Sequence, residues 1–202
     1  MVPYTILGLI IVSFILNSII SIGVTKSSKE AKPSLLTGDD IAKRILGMNH
    51  IRDVKVEASS EEGENVYHPV HKTITLGPEV YGVKTIYALT IGSHEACHAV
   101  EYNYFRFLLL LVNKFKIFVF IPAFIASFFI HVSLLHSCVL WAYVGLILFT
   151  LFVVTFDELA TNRRAYKALQ QFTAVSKEEI KEVRKVQRKM NLTYITAIPS
   201  LM

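Results

Sequence analysis

The chain opens with an uninterrupted run of apolar residues. Residues 4–24 are almost wholly apolar and carry no charge. At about 1.5 Å of rise per residue, a helix of this length can cross a bilayer core of about 30 Å. No lysine or arginine precedes the run and no A-x-A cleavage sequence follows it, which favours an uncleaved anchor over a signal peptide. We therefore predict an N-terminal transmembrane anchor over residues 1–24.

A second apolar region, residues 105–156, is too long for a single crossing. Lys114 and Lys116 interrupt it near its start. A lysine at the centre of a membrane helix costs about 2.5–3.5 kcal/mol on insertion scales, so the first crossing should begin after Lys116. We predict a transmembrane helical hairpin, with spans at about 117–135 and 138–156.

The intervening polar region, residues 25–104, has the periodicities of a small α+β part. Thr37 is followed by Gly38, Asp39 and Asp40, which is typical of a helix start. Alternating side chains predict short strands further on, and Pro69 stands near a turn. The predicted elements are a helix ending near Met48, a strand at 54–58, a hairpin of 65–68 with 72–76, and a helix at about 84–104.

The last region, residues 157–202, is helical and carries many basic residues. Ser176 and Glu179 have the spacing of a capping box. An apolar stripe on the helix that follows predicts one buried face. The stripe consists of Ile180, Val183, Val186 and Met190.

Histidines and a glutamate in the helix predicted before the second apolar region form an HExxH motif. His94 and His98 lie one turn apart on one helical face, where two imidazoles can hold a single zinc ion. Glu95 is beside that face and is the candidate for the base that takes a proton from water. Cys97 lies off the face and is predicted to be a small buried side chain rather than a ligand.

A catalytic zinc of this kind needs a third protein ligand and an open position. Glu158 is our candidate, with Asp157 as the alternative, because two crossings would return the chain to the membrane face that carries the histidines. Asn162 follows Glu158 by four residues and is placed to orient a histidine ligand. Further candidates for stabilising charge are Arg163, Arg164 and His71, although phospholipid contact or ordinary solvation explains them as well.

Short motifs outside the apolar regions resemble one known family. They are Leu36-Thr37-Gly38, Ile41 to Leu46, Val54 to Glu57, Tyr67 with Pro69, Glu79-Val80-Tyr81, His94-Glu95 with His98-Ala99, Glu158 with Arg163-Arg164-Ala165, and Leu192-Thr193-Tyr194. In these the chain resembles the YugP-type "putative neutral zinc metallopeptidase" family, membrane HExxH enzymes that are similar to gluzincins. The resemblance implies zinc ligation by His94, His98 and Glu158, with Glu95 as the base.

The fold class predicted from these features is a mainly α-helical integral membrane protein. It includes a small α+β, zincin-like catalytic part, in which a short β-hairpin precedes the active-site helix. The composition agrees, since 52% of residues are hydrophobic and the mean hydropathy is +0.45. Basic residues flank the apolar regions on one side, which predicts a multi-pass protein of the cell membrane with its catalytic site on the cytoplasmic face. The net charge of +5 is then explained by the lipid bilayer rather than by nucleic acid.

The predicted function is hydrolysis of peptide bonds by a metallopeptidase, with an endopeptidase favoured, that uses one Zn²⁺ per chain. Its partners would be a peptide or protein substrate, membrane proteins included. The alternative is a catalytically inactive scaffold or adaptor that keeps the zinc-peptidase fold, but the intact Glu95 argues against it. A transporter is disfavoured because the predicted spans carry no acidic or basic residue at mid-depth.

Overall fold

A computed structural model gives the fold of most of the chain outside the apolar regions. It describes residues 32–101 and 133–195, with the separate positions 12, 15, 16, 18–24, 26, 111, 112, 114, 115, 118, 122, 125 and 126. In chain order the elements are α1 (Gly38–Met48), β1 (Lys55–Ala58), β2 (Val66–His68), β3 (Thr73–Leu76), α2 (Ile86–Val100), α3 (Ser133–Leu169) and α4 (Lys177–Ile195).

The chain divides into two compact units. One comprises Met1–Asn17, Asn103–Asp157 and Tyr194–Met202, and the other comprises Ser18–Tyr102 and Glu158–Thr193. Within the first unit, the rings of Phe152 and Phe156 stack with their centroids 6.3 Å apart. The second unit contains the sheet, α1, α2 and most of the polar residues singled out in the sequence.

The sheet has three strands in the order β1-β3-β2. β2 and β3 form the predicted antiparallel hairpin, with Val66 opposite Thr75. β1 pairs with β3 in parallel, with Lys55 opposite Thr73. The hydrophobic side chains of β3, Ile74 and Leu76, are fully buried, which identifies β3 as the central strand of the core.

Helix α1 begins where the sequence indicated, because Thr37 accepts a hydrogen bond from Asp40 N at 3.1 Å. Its apolar face packs against α2 through a very close approach of two glycines. A Cβ atom added to Gly92 would lie 2.0 Å from Gly38 O, so neither backbone could come this near with a side chain present. The glycine pair therefore fixes the position of α2 relative to α1, at a point two residues before His94.

Helix α2 is almost entirely buried. Every residue from Ile86 to Ala99 is shielded from solvent, and Thr85 caps the start by accepting from Ala88 N at 3.1 Å. A helix with buried residues on all sides lies in the core rather than on the surface. The predicted helix at about 84–104 is shorter in the structure, because it ends at Val100 and the backbone of Glu101 is extended.

Helix α4 begins with the predicted capping box. Ser176 N donates to Glu179 Oε2 at 2.8 Å, and Glu179 N donates to Ser176 Oγ at 3.1 Å. Val183 and Met190 of the predicted stripe are buried, and Gln187 joins them on that face. The tail beyond residue 195 lies outside the described residues.

The predicted membrane architecture is wrong. In the described ranges, no helix has both the length and the apolar character that a bilayer crossing requires. The apolar run assigned to the span at 138–156 belongs to α3, which continues without a break into the charged sequence from Asp157 to Lys167. The run is thus one part of a mixed helix and not a separate apolar one.

This finding contradicts two predictions. The fold class of a mainly α-helical integral membrane protein is not supported, and neither is a multi-pass location in the cell membrane with a cytoplasmic site. What the described residues show is helices combined with a small three-stranded sheet. The anchor predicted at 1–24 and the span predicted at 117–135 fall largely outside the described residues.

Candidate metal centre

Two helices bring three potential metal ligands together. His94 and His98 lie one turn apart on α2, and Glu158 comes from α3. His94 Nε2 is 2.9 Å from His98 Nε2, and Glu158 Oε2 is 3.0 Å from His94 Nε2 and 3.5 Å from His98 Nε2. In the part of the chain that the structure describes, this is the group of His, Cys, Asp and Glu side chains that could hold a metal ion. Asp157, the alternative third ligand, is not a member.

The donor set fits zinc. Zinc sites in proteins take nitrogen and carboxylate oxygen at about 2.0–2.2 Å in a tetrahedron, which separates neighbouring ligand atoms by about 3.3 Å. The three separations observed here, 2.9, 3.0 and 3.5 Å, lie around that value. Two imidazoles and one carboxylate also leave a fourth position for water or substrate, as catalytic rather than structural zinc sites do.

Burial and charge act against each other at the cluster. Burial by itself lowers the pKa of His94, but the hydrogen bond and negative charge of Glu158 outweigh burial, and the pKa is raised. For Glu158, burial favours the neutral acid, yet hydrogen bonds and charge from the two histidines hold its pKa far below the usual range. The carboxylate is therefore ionised near neutral pH, as a zinc ligand must be.

Helix α3 also supplies a partner to the outer nitrogen of each imidazole. Asn162 Oδ1 lies 2.8 Å from His94 Nδ1. Thr161 Oγ1 lies 3.3 Å from His98 Nδ1, a contact that sequence reasoning missed. The signal was present, because Thr161 follows Glu158 by three residues and shares its helical face. Such partners hold the ring orientation and leave each Nε2 to face the metal position.

Glu95 is held at the sheet edge. It is 8% exposed, and its Oε2 accepts a hydrogen bond from Tyr67 N of β2 at 2.9 Å. The sequence could not single out Tyr67 for this contact, since every residue except proline has a backbone N–H. The contact ties the candidate base to strand β2 and places it beside the histidine that precedes it in the chain.

The remaining candidates lie elsewhere. Arg163 lines a pocket of about 270 Å³ together with Asn162, and Arg164 forms an ion pair with Glu101. His71 is exposed on the hairpin, with its ring 6.4 Å from that of His68. The partners that the structure shows for these three residues are not the cluster residues.

Cys97 is buried, as predicted, and is not part of the cluster. Burial raises the pKa of its thiol to about 12, so the thiol stays protonated near neutral pH. A protonated thiol is a poor metal ligand, which agrees with the prediction that Cys97 is a packing residue.

Comparisons with known proteins give the same family as the sequence resemblance. A family model described as "Putative neutral zinc metallopeptidase" matches residues 2–202. The protein named "Putative membrane protease YugP", from Bacillus subtilis (strain 168), is 30% identical over 180 residues, which cover 85% of this chain and 79% of that protein. No solved structure matches the chain.

Proposed function

The chain belongs to the neutral zinc metallopeptidase family, and from this membership we propose that it hydrolyses peptide bonds with Glu95 as general base. The observation that carries the proposal is the convergence of His94, His98 and Glu158, with Glu95 next to the first of them. HExxH alone does not require that a glutamate 60 residues further along the chain approach both imidazoles.

The proposed metal ligands are His94, His98 and Glu158, which hold one zinc ion per chain. Zinc bound there would lower the pKa of water toward about 7 and polarise the carbonyl of the scissile bond. The protein's own contribution is to keep the three donors in a largely buried site and to leave one position open. Asn162 and Thr161 orient the two rings from behind.

Glu95 would accept the proton of the attacking water and pass it to the departing amine. A base must lie within hydrogen-bond reach of that proton, and the position of Glu95 next to His94 on α2 supports this role. The hydrogen bond from Tyr67 N fixes the carboxylate through Oε2, so the base does not have to be ordered during the reaction.

The proposed substrate is a peptide or protein chain rather than nucleic acid. The central strand β3 cannot pair with a substrate strand, because β1 and β2 occupy both of its sides. The edge strand nearest the candidate base is β2, since its residue Tyr67 contacts Glu95.

The test is zinc analysis and cleavage of unfolded casein by wild type and the Glu95→Gln variant. The glutamine oxygen still accepts from Tyr67 N, so the fold and bound zinc should remain, while loss of the base should lower the rate by about 10²- to 10⁴-fold. The control is Glu57→Gln, the same chemical change at an exposed glutamate of β1. Wild type that binds zinc but cleaves neither casein nor other protein substrates would favour the scaffold or adaptor instead.

A further inference from the structure

We propose that Asn191, on the last helix, is a positioning residue that sets the orientation of the Asn162 amide and, through it, the metal-binding nitrogen of His94. The inference rests on the proposed zinc site and extends it to α4, which contributes no ligand. Asn191 Oδ1 accepts a hydrogen bond from Asn162 Nδ2 at 2.6 Å, and Asn162 Oδ1 is 2.8 Å from His94 Nδ1.

The side chain of Asn162 offers its carbonyl oxygen to His94. Because an amide oxygen only accepts hydrogen bonds, Nδ1 of the ring must donate, and the ring proton is therefore on Nδ1. In the neutral ring that zinc binding requires, the lone pair is then on Nε2, the nitrogen that lies 3.0 Å from Glu158 Oε2. This is the tautomer that a neutral imidazole needs in order to bind a metal through Nε2.

Rotation of the Asn162 amide by 180° would reverse this arrangement. The NH₂ group would face His94 Nδ1 and donate to it, which favours the tautomer with the proton on Nε2. The oxygen would then face Asn191 Oδ1 at hydrogen-bond distance, and two acceptors repel each other. In its observed orientation, Asn191 therefore favours the tautomer of His94 that can bind zinc through Nε2.

Helix α4 holds Asn162 at a second point. Gln187 Nε2 donates to the backbone oxygen of Asn162 at 2.9 Å, and Gln187 precedes Asn191 by one helical turn on the same face. Asn162 is 3% exposed and Gln187 is 5% exposed, so water cannot readily replace the hydrogen bond between them, whereas Asn191 is half-buried. The last helix thus fixes both the backbone and the amide of the residue that contacts His94.

The experiment is a double-mutant cycle on zinc affinity, measured by competition with a chromophoric chelator. Asn191→Ala should weaken zinc binding by about 10-fold, which is typical of partners that orient a metal ligand. Asn191→Asp keeps an acceptor toward Asn162 and should stay within about threefold of wild type. The double variant with Asn162→Ala should bind zinc no more weakly than Asn162→Ala alone, because Asn191 acts through Asn162.

Circular dichroism of each variant shows whether it is folded, and Lys181→Ala, at an exposed position of α4, controls for changes to the helix. Wild-type affinity in Asn191→Ala, or losses that simply add in the double variant, would overturn the inference. Equal losses in Asn191→Asp and Asn191→Ala would also overturn it. Wild type without any zinc affinity would defeat both this inference and the proposed function, whereas zinc binding with no proteolysis would defeat the peptidase alone.

Discussion

At the scale of single residues, the candidate metal site depends most on Glu158, because its carboxylate contacts both histidines of α2. Its Oε2 lies within 3.5 Å of both Nε2 atoms. Replacing the carboxylate with an amide removes the negative charge that partly neutralises the charge of Zn²⁺ and leaves a weaker metal ligand.

We expect Glu158→Gln to weaken zinc affinity by more than about 100-fold, beyond the range of about 10- to 100-fold for residues that only orient a ligand. Equilibrium dialysis against zinc buffers measures the change. Glu178→Gln, at an exposed position in the first turn of α4, is the matched control. An unchanged affinity in Glu158→Gln would mean that another group is the third ligand.

Among single residues, the sequence predicts those contacts that depend on local spacing. HExxH and the glutamate-to-asparagine spacing are local, and helical periodicity alone places each set of residues on one face. The contact of Asn191 with Asn162 spans 29 residues and two helices, and the contact of Tyr67 with Glu95 uses a backbone group. Neither leaves a signal in spacing, because each is created by tertiary packing.

At the scale of elements, the orientation of α2 follows from its contact with α1. Gly38 and Gly92 allow the two backbones to touch, and any side chain at Gly92 would collide with the Gly38 carbonyl. Relief of this collision requires that the helices separate, which would also move His94 away from its partners on α3.

We therefore expect Gly92→Ala to lower the free energy of unfolding by at least about 1–3 kcal/mol, the usual cost of overpacking. Urea denaturation followed by circular dichroism measures it. Gly47→Ala is the control, because a Cβ there meets nothing within 4 Å and alanine favours helix by about 1 kcal/mol. Equal stability of the two variants would show that the helices are not in the close contact described here.

Helices and strands were predicted well where adjacent residues specify them. The start of α1, the hairpin of β2 and β3, and the capping box of α4 all match, since caps and turns are specified by adjacent residues. The parallel pairing of β1 with β3 was not predicted. Strand direction depends on how distant segments meet, and alternation of side chains carries no information about it.

At the scale of the whole molecule, the predicted membrane architecture failed although the predicted ligand set came together. We expected two bilayer crossings to return Glu158 to the histidines. Instead, Ser18–Tyr102 and Glu158–Thr193 form one compact unit that contains all three ligands. Hydropathy read along a sequence cannot show where a helix continues into a charged segment, and α3 does continue. The three candidate ligands therefore meet through side-chain contacts between α2 and the part of α3 that follows Asp157.

The most direct test of the zinc site is anomalous diffraction at the zinc absorption edge from crystals of the full chain grown with zinc. We expect one anomalous peak per chain, bonded to His94 Nε2, His98 Nε2 and a carboxylate oxygen of Glu158. A peak at another group of side chains, or a site between these three residues that stays empty in saturating zinc, would contradict it.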